Sequence, residues 1–305
     1  MNSRALLVPS LAVALGLVGA ILRSISVVWE FDPYTNALAR SSPVFWAHAA
    51  FSALAAAALF ALAARARLPR EGQSRPGPAW FCAECAALVA LLAAAAVNIA
   101  RYLGAGGGAW RGSLPILIRG LFTLFAAACV AAFARRVLIG RVDPPCGIFL
   151  TVPVFWSVYM LIYDYWSRAG NPSAGEFIYL LFALIAATLM LYYAAALFYA
   201  VRGGRAALAA CGAAVYFSLT ALCGPLFARL LAGTAPLPRA GRLALPDAPL
   251  LLFALAHAFA LSALIGSRVL CATARAGGAE DELAAGGEEP GEAGEHAPPE
   301  RARPE

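Results

Sequence analysis

Residues 175–201 read GEFIYLLFALIAATLMLYYAAALFYAV, a run whose one charge is Glu176, near its start. Apolar residues occupy every face at the helical period, so no stripe of the helix is written for water. At about 1.5 Å per residue this run is longer than the roughly 30 Å of hydrocarbon in a bilayer. A helix satisfies its own backbone hydrogen bonds, which those surroundings require.

The pattern repeats outward in both directions. Runs at 5–28, 43–64, 79–103, 114–134 and 146–167 precede it, and runs at 206–232 and 249–272 follow. The breaks are short and carry the charge or the turn residues. They are Arg65, Arg67, Arg70 and Arg75 among prolines and glycines, the glycine-rich 104–108, Arg135 and Arg136 before Asp143-Pro144-Pro145, Asn171-Pro172, the Arg202–Arg205 loop, and a proline-rich connector reaching Asp247. The predicted fold is therefore all-α, a polytopic transmembrane bundle of about eight helices. Composition agrees: of 305 residues 62% are hydrophobic and 13% charged, about half the charged share of a soluble domain. Mean hydropathy is +0.73. Arg4 before the first run resembles the start of a secretory signal. Arg23 and Ser24 stand where a small-residue cleavage site belongs, so the first helix is expected to be retained.

The chain divides into a transmembrane domain, 1–276, and an acidic tail, 277–305. The tail holds nine acidic residues and two arginines, almost nothing apolar, and is expected to be disordered and cytoplasmic. A protein partner docking on it is a possible role. All 23 basic residues are arginine, and 21 of them lie before residue 277. Arginine collects in the loops after the second, fourth and sixth helices, which places those loops and both termini inside. The expected location is the bacterial plasma membrane, with the bilayer itself as the main partner. No basic stripe interleaved with aromatics lies outside the apolar runs, which argues against nucleic acid.

Ionisable groups inside a span are costly and face an interior or a watery cavity. Arg23, His48, Asn98, Arg101, Arg119, Asp164, Glu176 and Arg229 all fall toward the outer ends of their helices, His257 lies nearer the middle, and only Glu84 lies inward. Arg23, Arg101 and Arg229 are close enough to helix ends to snorkel. Asp164 and Arg168 are spaced to pair, acid first. Glu176 suits the first turn of its helix. That leaves His48, Asn98, Arg119, Asp164 and His257 as candidates for an outward polar pocket. On the fifth helix Ser157, Leu161, Asp164 and Arg168 share a face beside Trp156, Tyr159 and Tyr163. An acid beside aromatics suits a cationic or amphipathic ligand. The ligand-binding set is thus Asp164, His48, His257, Arg119, Asn98, Trp156 and Tyr159.

Other motifs carry less. Cys82-Ala83-Glu84-Cys85 has dithiol or half-zinc spacing, but no further ligand lies near it in sequence, and two small packing residues is the plainer reading. Seven cysteines at irregular spacing do not make a disulfide framework. Pro-Val-Phe-Trp occurs at 43–46 and again at 153–156 in unlike surroundings, which reads as coincidence of composition. No nucleophile elbow, zinc-protease helix or phosphate loop is present, so neither a catalytic site nor a cofactor or metal is expected.

Pro153, Phe155 and Trp156, then Tyr163, Asn171-Pro172, Tyr179, Tyr192, Tyr193 and Phe198, resemble a pattern of uncharacterised bacterial polytopic membrane proteins. The resemblance covers the fifth and sixth helices and implies fold and membrane location only. The leading functional expectation is small-molecule binding or transport through the outward pocket, with Asp164 as anionic anchor and Arg119 holding an anion or pairing with Asp164. The alternatives are a sensor or accessory subunit acting through a partner, and less favoured, a membrane-embedded enzyme.

Overall fold

In a computed structural model of the chain, the residues described are 3–35, 37–39, 41–66, 77–104, 110–140, 146–168, 177–199, 203–238 and 241–266. They form α1 (Ser3–Glu30), α2 (Pro43–Arg65), α3 (Pro78–Gly104), α4 (Trp110–Ile139), α5 (Cys146–Arg168), α6 (Ile178–Phe198), α7 (Gly204–Ala232) and α8 (Asp247–Gly266). All eight are long and apolar enough to cross a membrane. Among the described residues there is no strand, only an isolated bridge between Phe31 and Leu38. The expected all-α bundle of about eight spans is the fold. The acidic tail, with His296, and the connectors that hold Arg67, Arg70, Asn171-Pro172 and Glu176 lie outside the described residues.

Several helix ends differ from the sequence reading, two of them for clear physical reasons. Arg135 and Arg136 do not stop α4, which continues to Ile139 and ends where Gly140 turns left-handed at φ 75°. An arginine near a helix end reaches out of the apolar layer on its long stem, and the Arg136 guanidinium lies 5.5 Å from the centre of the Phe149 ring. At the other boundary α8 starts at Asp247, two residues early. A carboxylate there meets the positive end of the helix, and Pro249 is tolerated within the first turn.

Successive helices alternate in direction. The C-termini of α1, α3, α5 and α7 and the N-termini of α2, α4, α6 and α8 therefore gather at one end of the bundle, here named the Glu30 end. α7 is the spine, packing on α1, α2, α6 and α8, and its alanines and glycines allow neighbouring backbones close. α8 packs on α1, α3, α6 and α7 and sits within the arc formed by α3 to α7. Leu54, Val89, Phe125, Ile162 and Leu230 stay exposed around the perimeter, an apolar surface fit for lipid and not for water. Trp29, Tyr34, Trp46, Tyr165 and Trp166 are exposed at the Glu30 end, where an aromatic belt belongs.

The α1–α2 turn is fastened by a buried carboxylate. The backbone N–H groups of Val44 and Phe45 donate to Glu30 Oε1 and Oε2, each at 2.7 Å, and Ser26 Oγ donates to Oε2 at 3.0 Å. Glu30 thus fills the N-terminal cap of α2, whose own Ser42 makes no side-chain cap.

Candidate functional site

Polar side chains at the Glu30 end form a closed charge network across α4, α5 and α8. Arg119 lies about 14 Å along α4, too deep for its guanidinium to reach water, and is 3% exposed. It donates from Nη1 and Nη2 to Asp164 Oδ1 and Oδ2 on α5 at 3.2 and 3.5 Å. Its Nη2 also stands 4.0 Å from Asp247 Oδ1 at the start of α8. Arg168 Nη2 donates to Asp247 Oδ2 at 2.7 Å and stands 3.9 Å from Asp164 Oδ1. Two arginines and two aspartates thus balance, with Asp164 and Asp247 almost fully enclosed at 1% and 3% exposure. The Tyr163 ring lies 5.1 Å from the Arg119 guanidinium carbon. Below it, Trp156 Nε1 donates to Thr123 Oγ1 at 3.0 Å, and Thr123 Oγ1 donates to the Arg119 carbonyl at 2.7 Å.

Beside this network a cavity of about 50 Å³ opens among the ends of α1, α5, α6, α7 and α8. Its polar lining is Arg23, Arg168, Tyr179, Thr220, Arg242 and Asp247. Gly224 lets Arg23 in: a Cβ at 224 would come within 2.9 Å of Arg23 Cγ. The Arg23 guanidinium carbon then lies 5.2 Å from the Tyr179 ring and 5.5 Å from Phe31. Arg242 Nη2 donates to the Leu237 carbonyl at 3.1 Å, which holds it at the rim.

Behind Tyr179 the polarity continues inward. His48 on α2 stacks on Tyr179 at 4.3 Å and is wholly buried, with neither ring nitrogen hydrogen-bonded. One helical turn on, Ser52 Oγ donates to the His48 carbonyl at 2.9 Å and accepts from the Tyr216 hydroxyl at 2.8 Å. Gly19 on α1 makes room for that hydroxyl, since a Cβ would stand 2.8 Å from Thr220 Oγ1 and 2.9 Å from Tyr216 Oη.

The remaining candidates lie elsewhere. His257 Nδ1 is 3.0 Å from Glu84 Oε2, a pair joining α8 to α3 and shut off from solvent. Phe253 stacks on His257 at 5.2 Å and meets Trp156 edge-on at 5.4 Å, linking this pair to the charge network by ring contact. Asn98 Nδ2 donates to the Ala94 carbonyl at 2.8 Å where α3 passes Gly120 of α4. Tyr159 packs between Phe122 and Tyr163 and lines an apolar groove with Pro115, Ile162 and Trp166.

The seven sequence candidates therefore fall into separate places. Arg119, Asp164 and Trp156 belong to the charge network, His48 backs the cavity, His257 pairs with Glu84, Asn98 bonds its own helix, and Tyr159 faces the perimeter. Arg101 and Arg229 are exposed as snorkelling requires, whereas Arg23 is buried at 3% exposure. Asp247, Arg242, Tyr179 and Arg23 are the site residues that sequence reasoning passed over. Asp247 read as the end of a connector, Arg23 as a snorkelling side chain, and Tyr179 as one aromatic of a pattern. The signal available was the position of Asp247 two residues before Pro249, the signature of a helix start. No disulfide joins the described cysteines, of which Cys82 is exposed and Cys85 half-buried. No group of three His, Cys, Asp or Glu suited to a metal occurs among the described residues.

These features define a multi-pass helical membrane protein with a buried charge network and a small polar cavity at one end. Comparison with known protein families, curated proteins and solved structures finds no match to this chain.

Proposed function

We propose that this protein binds a small anionic solute in the cavity at the Glu30 end, as the outward-facing receiving site of a transporter. The observation that carries the reading is that three arginines, Arg23, Arg168 and Arg242, line one cavity of about 50 Å³ together with Tyr179 and Thr220. Guanidinium presents paired N–H donors that match a carboxylate or phosphate edge. The volume admits a group of that size, roughly one or two waters' worth at about 30 Å³ each. Asp164 is committed to Arg119, so a cationic ligand anchored there would first have to break a buried pair. Asp247 is held by Arg168, which leaves the rim basic among the described residues. The outward sense of this end rests on the arginine-rich loops at the other.

The test is binding in nanodiscs at fixed ionic strength. Acetate, succinate, phosphate and sulfate are compared with choline and a neutral sugar by thermal shift and calorimetry, in the wild type and in Arg242→Gln. Arg242 is at the rim and takes no part in the buried network, so its loss leaves the fold intact. Saturable stabilisation by one anion class, weakened tenfold or more in Arg242→Gln, supports the reading. Stabilisation shared alike by every anion tested, or indifferent to Arg242, sinks it.

A further inference from the structure

We infer that Glu84 and His257 form a proton-binding site that holds one shared proton between α3 and α8. The pair lies about 9 Å from the start of α3 and about 15 Å from the start of α8. His257 is 0% and Glu84 1% exposed. Glu84 Oε2 and His257 Nδ1 are 3.0 Å apart, while Glu84 Oε1 and His257 Nε2 have no hydrogen-bond partner. No other ion pair or hydrogen bond reaches either carboxyl or imidazole among the described residues. The inference stands on this geometry alone and is independent of the anion reading.

The argument is one of charge. Three protonation states are available to the pair. With the carboxylate ionised and the imidazole neutral, the site carries −1. With one more proton, lying between Oε2 and Nδ1, the site is neutral overall, as carboxylic acid and imidazole or as carboxylate and imidazolium. With a second added proton it carries +1. An unpaired charge in an apolar interior is strongly disfavoured, whereas a hydrogen-bonded neutral pair is not. Among the described residues no charged side chain makes a hydrogen bond or ion pair with either group besides the pair itself. The titratable groups of the same and neighbouring helices include Cys82 and Cys85 on α3, Cys129 on α4, Cys211 and Tyr216 on α7, and Tyr192 and Tyr193 on α6. All of these types are neutral near pH 7. Of the charged groups on neighbouring helices, Arg23, Glu30, Arg119, Arg229 and Asp247 lie in the half of the bundle toward the Glu30 end, while Arg135, Arg136 and Arg205 lie at the other, where Arg135 is exposed and Arg136 lies against the Phe149 ring.

The proton transfer itself is a shift along the 3.0 Å line from Oε2 to Nδ1 and back, with Nε2–H retained throughout. Losing or gaining a proton leaves a bare charge between two closely packed helices. Opening of the α3–α8 seam is then the way for water to reach it.

Histidine occurs only at 48, 257 and 296, so nitrogen-15 labelling of histidine gives few resonances. Full-length protein in nanodiscs is followed from about pH 5 to about pH 8, the span in which free imidazole titrates, with His257→Gln assigning the signal. The expected spectrum shows His257 with a protonated Nε2 that does not titrate across the span. In Glu84→Gln, the Nδ1 resonance moves to the position of a bare ring nitrogen. The inference is overturned by a His257 that titrates midway, or by a bare Nε2 at neutral pH, which marks Nδ1–H donation to an ionised Glu84 and a site left at −1. The wild-type titration decides the matter even if a Glu84 variant fails to fold, because assignment needs only His48→Gln and His296→Gln in the full-length chain.

Discussion

Replacing Asp164 by asparagine is the sharpest test of the charge network, because it keeps shape and removes one charge. Arg119 sits 3.2 Å from Asp164 and 4.0 Å from Asp247. At an effective dielectric of about 20 these separations correspond to attractions of about 5 and about 4 kcal/mol. The variant loses the nearer partner and keeps the farther, which Arg168 already holds at 2.7 Å. Breaking a buried pair by removing one partner costs about 3–5 kcal/mol, and the retained Asp247 sets the expectation at the lower edge, about 3 kcal/mol. Arg119→Gln leaves Asp164 with Arg168 at 3.9 Å, so its cost is of the same order. The double variant buries no unpaired member of that pair and is less destabilised than the sum, with a coupling of at least about 1.5 kcal/mol. Arg168→Gln leaves the enclosed Asp247 with only Arg119, at 4.0 Å, so its cost is expected to be of the same order, about 3 kcal/mol, although Arg168 itself is 28% exposed. The assay is reversible unfolding in mixed detergent micelles, with helical signal and tryptophan fluorescence followed together. Additivity of Asp164→Asn and Arg119→Gln within about 0.5 kcal/mol would falsify the network as an energetic unit.

Three further outcomes follow from single sites. Gly19→Ala places a methyl group 2.8–2.9 Å from Thr220 Oγ1 and Tyr216 Oη, and overpacking of this sort costs about 1–3 kcal/mol; Gly104→Ala, with nothing within 4 Å, is the control that should leave the melting point unchanged. Glu30→Ala removes the cap from Val44 and Phe45 and is expected to cost about 1–2 kcal/mol, read as faster amide exchange at the start of α2, while unchanged exchange there refutes the cap. In the α1–α2 connector, the Tyr34 and Thr35 amides donate to Asp32 Oδ1 and hold its carboxyl below the ordinary carboxylate range. A depressed folded pKa means the turn's contribution is full above that range and lost as pH falls through the folded value. Protection of those two amides should therefore fall only in acid, and should be low at every pH in Asp32→Ala.

How much of this was legible in the sequence divides along a physical line. The eight helices were, because a segment in hydrocarbon must be apolar all round and long, and loops such as 65–78 announce themselves by arginine and proline. Pairing of Asp164 with Arg168 at the helical spacing was visible too, and the two groups stand 3.9 Å apart. What spacing on one helix cannot reveal is which helix faces which. Asp247 became a site residue because α8 lies inside the arc of its neighbours, which brings Arg119 and Arg168 to it from α4 and α5. The same enclosure brought His257 to Glu84, two residues the linear depth count had placed at different levels. Glycine carried a signal that was present but unread. Gly19 and Gly224 look like ordinary small residues in an alanine-rich run, and only the opposing helix shows that one makes room for hydroxyls and the other for an arginine stem.

The burial of each helix explains why the polar groups sit where they do. α2 touches the core along a narrow stripe and carries one ionisable group inward, His48, whose ring is covered by Tyr179. α8 is buried along most of its length, so neither Asp247 nor His257 can reach headgroups, and each needs a partner from a facing helix. Those partners arrive from different directions, α4 and α5 for the first and α3 for the second, about 15 Å apart along one rigid element. A displacement of α8 would therefore strain the aspartate's two arginine contacts and the carboxyl–imidazole pair together. Asp247, which lines the cavity, and His257 are thus carried by the same helix. Reporter fusions or cysteine labelling at 65–78, 104–113 and 233–248 fix which side of the membrane each faces. With 65–78 inside and the other two outside, the arginine-lined cavity samples the exterior. The inverse result moves its ligand to the cytoplasm, while leaving the geometry of both sites, and the argument from charge that ties them to α8, unchanged.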